Sequence, residues 1–240
     1  MSFDADQLRP LAERIISLLR PGMVVGLGSG RTMQTLLRPL ARAVHEGLPI
    51  TAVATSQETE RQARQLGIPM TTLDHKPEVD LTLDGADEVE PGQLHLLKGL
   101  GGALLREKVV AAASRRLVIA VTADKLVDRL GQRGLLPVEV VPFALPLCQR
   151  RIRQLGLDAH LRSEGKQVFV TDNGNYILDC RIGPIPDPAS VERALKAIPG
   201  VVETGLFLGM ADLVLVLEGT AVRELLRPGA RRTQTQEDGG

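Results

Sequence analysis

Apolar positions along the chain change period from about 3.6 to about 2 and back, which predicts helices alternating with strands. Leu8, Leu11, Ile15, Ile16, Leu18 and Leu19 recur at helical spacing over 6–20, and Pro21 and Gly22 end that run. The apolar stretch 23–28 then predicts a short buried strand entering a glycine-rich turn. Leu36, Leu37, Leu40 and Val44 mark the helix that follows. The alternation continues with a strand at 50–54, a helix at 56–66 opened by Ser56, a strand at 79–83, a helix at 103–113 and a strand at 116–121. Strands and helices in this order predict βαβ units and a parallel sheet covered on both faces.

Beyond about residue 131 the order changes. Strands are expected at 138–141, 168–171, 176–181 and 201–207, with helices at 144–156 and 188–197. The Asn173-Gly174 pair between the second and third of these strands is a strong hairpin signal. The resulting β-α-β-β-α-β order is the split βαβ arrangement of a small two-layer module. Another strand at 212–218 is expected to return to the first sheet. The expected fold class is therefore α/β, a Rossmann-like, mostly parallel sheet with helices on both faces, plus an inserted small α+β (ferredoxin-like) domain. The expected divisions are 1–130 with 207–230 for the α/β domain and 131–206 for the insertion. The polar stretch 231–240 is expected to be a disordered tail.

Composition narrows the function. The 240 residues hold 29 Lys plus Arg against 29 Asp plus Glu, so no net field recruits nucleic acid or an acidic membrane. Four Phe, one Tyr and no Trp leave little for stacking on single-stranded nucleic acid. Cys148 and Cys180 share no CxxC spacing, and His45, His75, His95 and His160 share no metal spacing, so neither a disulfide framework nor a metal site is expected. No targeting signal or apolar run of membrane-spanning length is evident. A soluble, cytoplasmic protein is expected.

Three segments carry chemistry. GLGSGRT (26–32) is a strand-turn-helix crossing whose free N–H groups favour an anion, with Ser29, Gly30 and Thr32 at the turn and Arg31 adding a cation. Met33 and Arg31 stand where a dinucleotide fingerprint needs its third glycine, and no Gly-Lys-Ser/Thr ends the loop. A small phosphate ester fits better than a nucleotide. LDGADE (83–88) places Asp84 at a strand's carboxyl end, and Gly85 and Ala86 turn the chain toward Asp87. Two close carboxylates either share a proton and hold sugar hydroxyls, or bind magnesium; Lys98 nearby already meets the charge need, which favours the former. KGLGGALLREK (98–108) joins Lys98, through the turn of Gly99, Leu100, Gly101 and Gly102, to Glu107 early in a helix. A carboxylate facing a cation is what proton abstraction beside a carbonyl requires. Lys125, just past a strand, is placed to reach a phosphate.

Together with PVEVVPFA (137–144), VTDNGNYILD (170–179) and IPGVVETGLF (198–207), these segments resemble ribose-5-phosphate isomerase type A, collinearly from Gly26 to about Gly209. The resemblance implies interconversion of ribose 5-phosphate and ribulose 5-phosphate through an enediolate. It implies no metal, nucleotide or other cofactor, a small phosphosugar as the only partner, and a homodimer or homotetramer. It makes Glu107 the base that moves the proton, Asp84 and Asp87 the holders of sugar hydroxyls, and Lys98 the cation on the enediolate oxygen. Ser29, Gly30, Thr32 and Lys125 fall on the phosphate side, with Gly85, Ala86, Gly99, Leu100 and Gly101 approaching the sugar. Three departures stand out: Arg31 replaces a small hydroxyl residue, Leu100 interrupts a glycine run, and Thr122 and Asp124 replace the usual neighbours of Lys125. The alternative is a non-catalytic phosphosugar-binding or regulatory protein on the same scaffold, which would have no use for an acid/base set.

Overall fold

A computed structural model describes residues 7–227; the tail expected at 231–240 and the expected helix start at residue 6 lie outside them. Amphipathic and apolar stretches fold in turn as α1 (Arg9–Leu18), β1 (Val24–Leu27), α2 (Gly30–His45), β2 (Thr51–Ala54), α3 (Gln57–Gln65), β3 (Leu81–Asp84), β4 (Glu88–Glu90), β5 (His95–Leu97), α4 (Leu104–Ala112) and β6 (Leu117–Thr122). The second half supplies β7 (Leu135–Val140), α5 (Leu145–Gln154), β8 (Asp158–Leu161), β9 (Ser163–Glu164), β10 (Gln167–Val168), β11 (Tyr176–Arg181), α6 (Pro188–Lys196), β12 (Val201–Thr204), β13 (Leu206–Phe207), β14 (Leu213–Glu218) and β15 (Ala221–Leu226).

The main sheet runs β15-β14-β6-β3-β1-β2. It is parallel throughout except for β15, which returns antiparallel on β14. Both faces are buried, as a sheet sandwiched by helices demands. Successive side chains of a strand point to opposite faces. Val118, Ala120, Leu213 and Leu215 accordingly join α1 and α2 in one apolar cluster, while Leu117, Ile119, Val121, Val214 and Val216 pack on the other side with Leu96 and Phe207.

A second, antiparallel sheet has the order β12-β7-β11-β8. Chain order β7-α5-β8-β11-α6-β12 gives the split βαβ arrangement that was expected. Leu136, Val138, Val140, Leu178 and Cys180 pack one face against Cys148 and Ile152 of α5 and Leu195 of α6. Glu139, between Val138 and Val140, points from the opposite face. The fold class is as anticipated, an α/β sheet with a smaller α+β module.

Three local expectations need correction. Residues 168–171 do not form a strand beside β11; β8 takes that place, and only Val170 bridges to Tyr176. The reason is that the Arg162 N–H already bonds the Ile177 carbonyl at 2.8 Å, so β8 occupies this edge of β11 and the Phe169 N–H turns instead to the Arg162 carbonyl at 3.0 Å. The strand expected at 201–207 breaks at Gly205, so that β12 pairs with β7 and β13 pairs with β5. Finally, β7 begins before Pro137. The Pro137 carbonyl accepts from the Gly205 N–H at 2.8 Å, on the side where β12 has ended, so the missing proline N–H costs no bond to β11.

Candidate active site

Everything expected to carry chemistry gathers at the carboxyl ends of β1, β3 and β6, where parallel sheets present ligand sites. β1 runs through Gly28 into α2, which starts at Gly30 and leaves its first N–H groups without helical partners. β3 delivers Asp84, which is 1% exposed. β6 leads into a single helical turn, Ala123–Lys125, that brings Lys125 to the rim. The β4–β5 hairpin folds back over this end and places Lys98 directly after β5, its N–H held by the Gly205 carbonyl at 2.8 Å.

Lys98 is the hub. Its Nζ donates to the Gly85 carbonyl at 2.6 Å and lies 3.0 Å from Asp84 Oδ2 and 3.2 Å from Glu107 Oε2. The Phe207 ring lies beneath it, 5.5 Å from Nζ to centroid. Burial works against the ammonium, yet the charges of Asp84 and Glu107 outweigh it and hold Lys98 above its ordinary pKa. Burial also pushes Asp84 up to about 7; Lys98 opposes the shift and Glu107 adds to it. One ammonium thus serves two carboxylates, and burial favours the protonated form of Asp84.

Glu107 enters from the first turn of α4 and is buried. Its Oε1 accepts a short hydrogen bond from the Ser29 hydroxyl. Its Oε2 has an ionic contact with Lys98 but no hydrogen-bond donor among the described residues. That leaves a lone pair on a buried carboxylate oxygen free to take a proton. Asp87 is fixed from the other side, Oδ2 accepting from the Leu100 N–H at 3.0 Å.

The cleft enclosed by these groups holds about 550 Å³, its open mouth included. Ser29, Gly30, Arg31, Thr32, Gly85, Ala86, Asp87, Lys98, Gly99, Gly101, Glu107 and Lys125 line it. Of the residues expected at the site, two are placed otherwise. Asp84 lies under the floor, against Lys98, and the Leu100 side chain is 45% exposed, its backbone N–H alone serving the site through Asp87.

Three further residues support the site. Gly28 lies against Asp84, and a Cβ there would fall 2.0 Å from Oδ1 and 2.7 Å from the Asp84 Cα. Phe207 underlies Lys98. Arg162, paired with Asp179 through Nε at 2.9 Å, donates from Nη1 to the Gly99 and Leu100 carbonyls at 3.2 and 3.0 Å and so holds the glycine turn. The glycine motif 26–30 was a signal for Gly28. Nothing local marks Phe207 or Arg162.

Residues 51–220 match the family described as Ribose 5-phosphate isomerase A (phosphoriboisomerase A). The chain belongs to this family. A ribose-5-phosphate isomerase A from Gloeobacter violaceus is 52% identical over 228 residues, covering 95% of this chain and 99% of the relative. The solved structure of ribose 5-phosphate isomerase A from Methanocaldococcus jannaschii superposes with a TM-score of 0.86 at 38% identity, covering 92% of this chain and 98% of the other. A D-ribose-5-phosphate isomerase solved in complex with phospho-erythronic acid superposes with a TM-score of 0.87 at 34% identity, with the same coverages of 92% and 98%. Membership in the ribose 5-phosphate isomerase A family thus extends across both sheets and not merely over the glycine-rich half.

Proposed function

We propose that this chain interconverts D-ribose 5-phosphate and D-ribulose 5-phosphate by moving a proton between C2 and C1 through an enediolate. The observation that carries the proposal is Glu107 in the lining of the cleft, its Oε2 lying 3.2 Å from the buried Lys98 ammonium with no hydrogen-bond donor among the described residues. The substrate phosphate sits on the N–H groups and hydroxyls of 29–32, with Lys125 as its cation. Glu107 Oε2 takes the C2 proton of the open-chain aldose and returns it to C1, while the hydroxyl proton on O2 passes to O1. Ser29 holds Oε1, so the carboxylate keeps one face toward the substrate. Lys98 steadies the oxygen on which negative charge builds, which is where a fixed cation acts most strongly. Asp87, facing the cleft, accepts from the sugar hydroxyls and assists ring opening, while Asp84, buried beneath, holds Lys98 in place. We invoke no metal or nucleotide, because Lys98 already supplies the charge the enediolate needs.

Ribulose 5-phosphate formation from ribose 5-phosphate in EDTA tests this, with Glu107→Gln alongside. The amide fits the same space, its oxygen toward Lys98 and its nitrogen toward Ser29, so the variant should fold while turnover falls by about 10²–10⁴-fold. No ketose from the parent protein would refute the activity. Near-normal turnover in the variant would remove Glu107 as the base.

We read the protein as a cytoplasmic homodimer or homotetramer with residues 131–206 as its inserted unit. Free, buried Cys148 and Cys180 support a reducing compartment, and no helix among the described residues is long and apolar enough to cross a membrane. Phe143, 96% exposed beside the exposed Val141, supports a contact between copies. Light scattering on the purified protein decides the assembly.

A further inference from the structure

The residues on either side of Glu107 in sequence are both tied to the 131–206 segment. Arg106 donates from Nε to Asn173 Oδ1 at 2.9 Å and from Nη2 to the Asp172 carbonyl at 3.0 Å. Lys108 donates from Nζ to Glu203 Oε1 at 2.9 Å, to Glu192 Oε1 at 3.2 Å and to the Leu206 carbonyl at 2.7 Å. Its ammonium also lies 4.8 Å from the centroid of Phe207, the same ring that Lys98 approaches at 5.5 Å. The 171–175 turn that receives Arg106 is itself pinned, because Thr171, Asn173 and Asn175 all donate to the fully buried Glu139 Oε1.

Successive residues of an α-helix are about 100° apart around the axis. Arg106 and Lys108 therefore flank Glu107 by equal angles, one on each side, and two tethers so placed oppose rotation of α4 in either direction. We propose that Lys108, together with Arg106, is a positioning residue: the two tethers fix the rotational setting of α4 and hence the aim of the Glu107 carboxylate. The inserted module would then be part of the catalytic apparatus without touching the substrate.

The leverage is large. Cα atoms lie about 2.3 Å from the helix axis, so with its side chain the Glu107 carboxylate stands roughly 6 Å out, and a 10° turn of the helix moves it by about 1 Å. A misplacement of that size can cost about 10²-fold in rate. The Lys108–Glu203 pair is not an ordinary surface ion pair, which contributes little. The Lys108 and Glu203 side chains are only 13% and 14% exposed.

This inference rests on Glu107 being the base, and a cycle of variants separates the two. Glu107→Gln tests the base alone. Lys108→Met and Glu203→Gln, singly and together, test the tether, with kcat counted per site competent to bind in a calorimetric titration with ribose 5-phosphate. Lys108→Met should lower kcat by about 10–100-fold while KM stays within about threefold, because no phosphate or sugar contact resides on this face of α4. Glu203→Gln, which removes the charge but leaves an acceptor and the Lys108 bonds to Glu192 and Leu206, should lower it less, and the double variant should lose no more than Lys108→Met, because both changes act on the same link. Lys108→Arg, which keeps a donor within reach of both carboxylates, should restore most of the rate. Unchanged kcat per site, a loss confined to KM, or strictly additive losses would overturn the proposal. If Lys108→Met does not fold, the kcat-only loss in Glu203→Gln carries the test alone, and its absence overturns the proposal.

Discussion

Replacing Gly28 by alanine should damage both the fold and the site, because this glycine is where β1 passes Asp84. A Cβ at position 28 would stand 2.0 Å from the Asp84 Oδ1, 2.3 Å from its Cγ and 2.7 Å from its Cα. A rotamer change could clear the carboxylate, but not the Cα. Ordinary contact begins near 3.4 Å, so β1 and β3 must part by about 0.7 Å. That separation stretches the bond from the Gly28 N–H to the Leu83 carbonyl, now 2.7 Å. It also moves Asp84 against Lys98, to which it is joined at 3.0 Å. Overpacking alone costs about 1–3 kcal/mol, and a weakened buried hydrogen bond adds about 1 kcal/mol. A total of about 2–4 kcal/mol lowers the melting temperature of a chain this size by roughly 4–16 °C. The displaced Lys98 should cost a further ~10-fold or more in kcat at a temperature where the variant is fully folded. Calorimetric melting and steady-state isomerisation check the two halves. Gly101→Ala, where a Cβ meets nothing within 4 Å, is the stability control and should stay within about 0.5 kcal/mol of the parent. A Gly28→Ala protein melting within about 1 °C of the parent at unchanged kcat would refute the reasoning.

Two further outcomes follow from the buried groups. The folded pKa of Asp84 lies near 7 against an ordinary value of 3.8, so between those values the folded chain keeps a proton that the unfolded chain has released. Stability from this group is full below the unfolded value and is lost as pH rises toward 7, so Asp84→Asn should flatten that part of a denaturant-midpoint series run from pH 4 to pH 8; an unaltered slope would count against it. Burial, reinforced by Asp179 and Asp158, pushes the Cys180 thiol up to about 12, and burial likewise raises Cys148. Neither thiol should react with an aromatic disulfide reagent until denaturant is added, and rapid labelling of the native protein would contradict their burial.

Much of the architecture could be read from the chain because the central strands are short apolar runs bounded by glycine, proline or polar residues. Those whose side chains obey another partner could not. Ala221–Leu226 is made, apart from Val222, of the good helix formers Ala, Arg, Glu and Leu, and becomes a strand where β14 offers it a free edge. Asp158–Leu161 alternates exposed Asp158 and His160 with inward Ala159 and Leu161, but four residues are too short a run to stand out from the loop around it. The site shows the same division. Asp84, Asp87, Lys98 and Glu107 are chemically conspicuous within one stretch of sequence. The Ser29 bond to Glu107 spans 78 positions, and Arg162 reaches the glycine turn from more than 60 residues away, so no local pattern could announce either. Gly102 shows the intermediate case. Its φ of +85° and the Phe169 ring 2.3 Å from where a Cβ would lie both require glycine, yet only the turn was legible, and the ring was not.

The order in which strands join the main sheet also bears on how the protein is made. As the chain leaves the ribosome, β1, β2, β3 and β6 are complete by residue 122, but the neighbour that covers the outer side of β6 is β14, beginning at Leu213. Through the synthesis of about 90 intervening residues, the Leu117–Thr122 strand presents an open row of backbone groups flanked by Val118, Ile119 and Val121. Such an edge invites pairing with other chains. The nascent protein is therefore most exposed to misassociation in the interval before its last hairpin emerges, and chaperone demand should peak there.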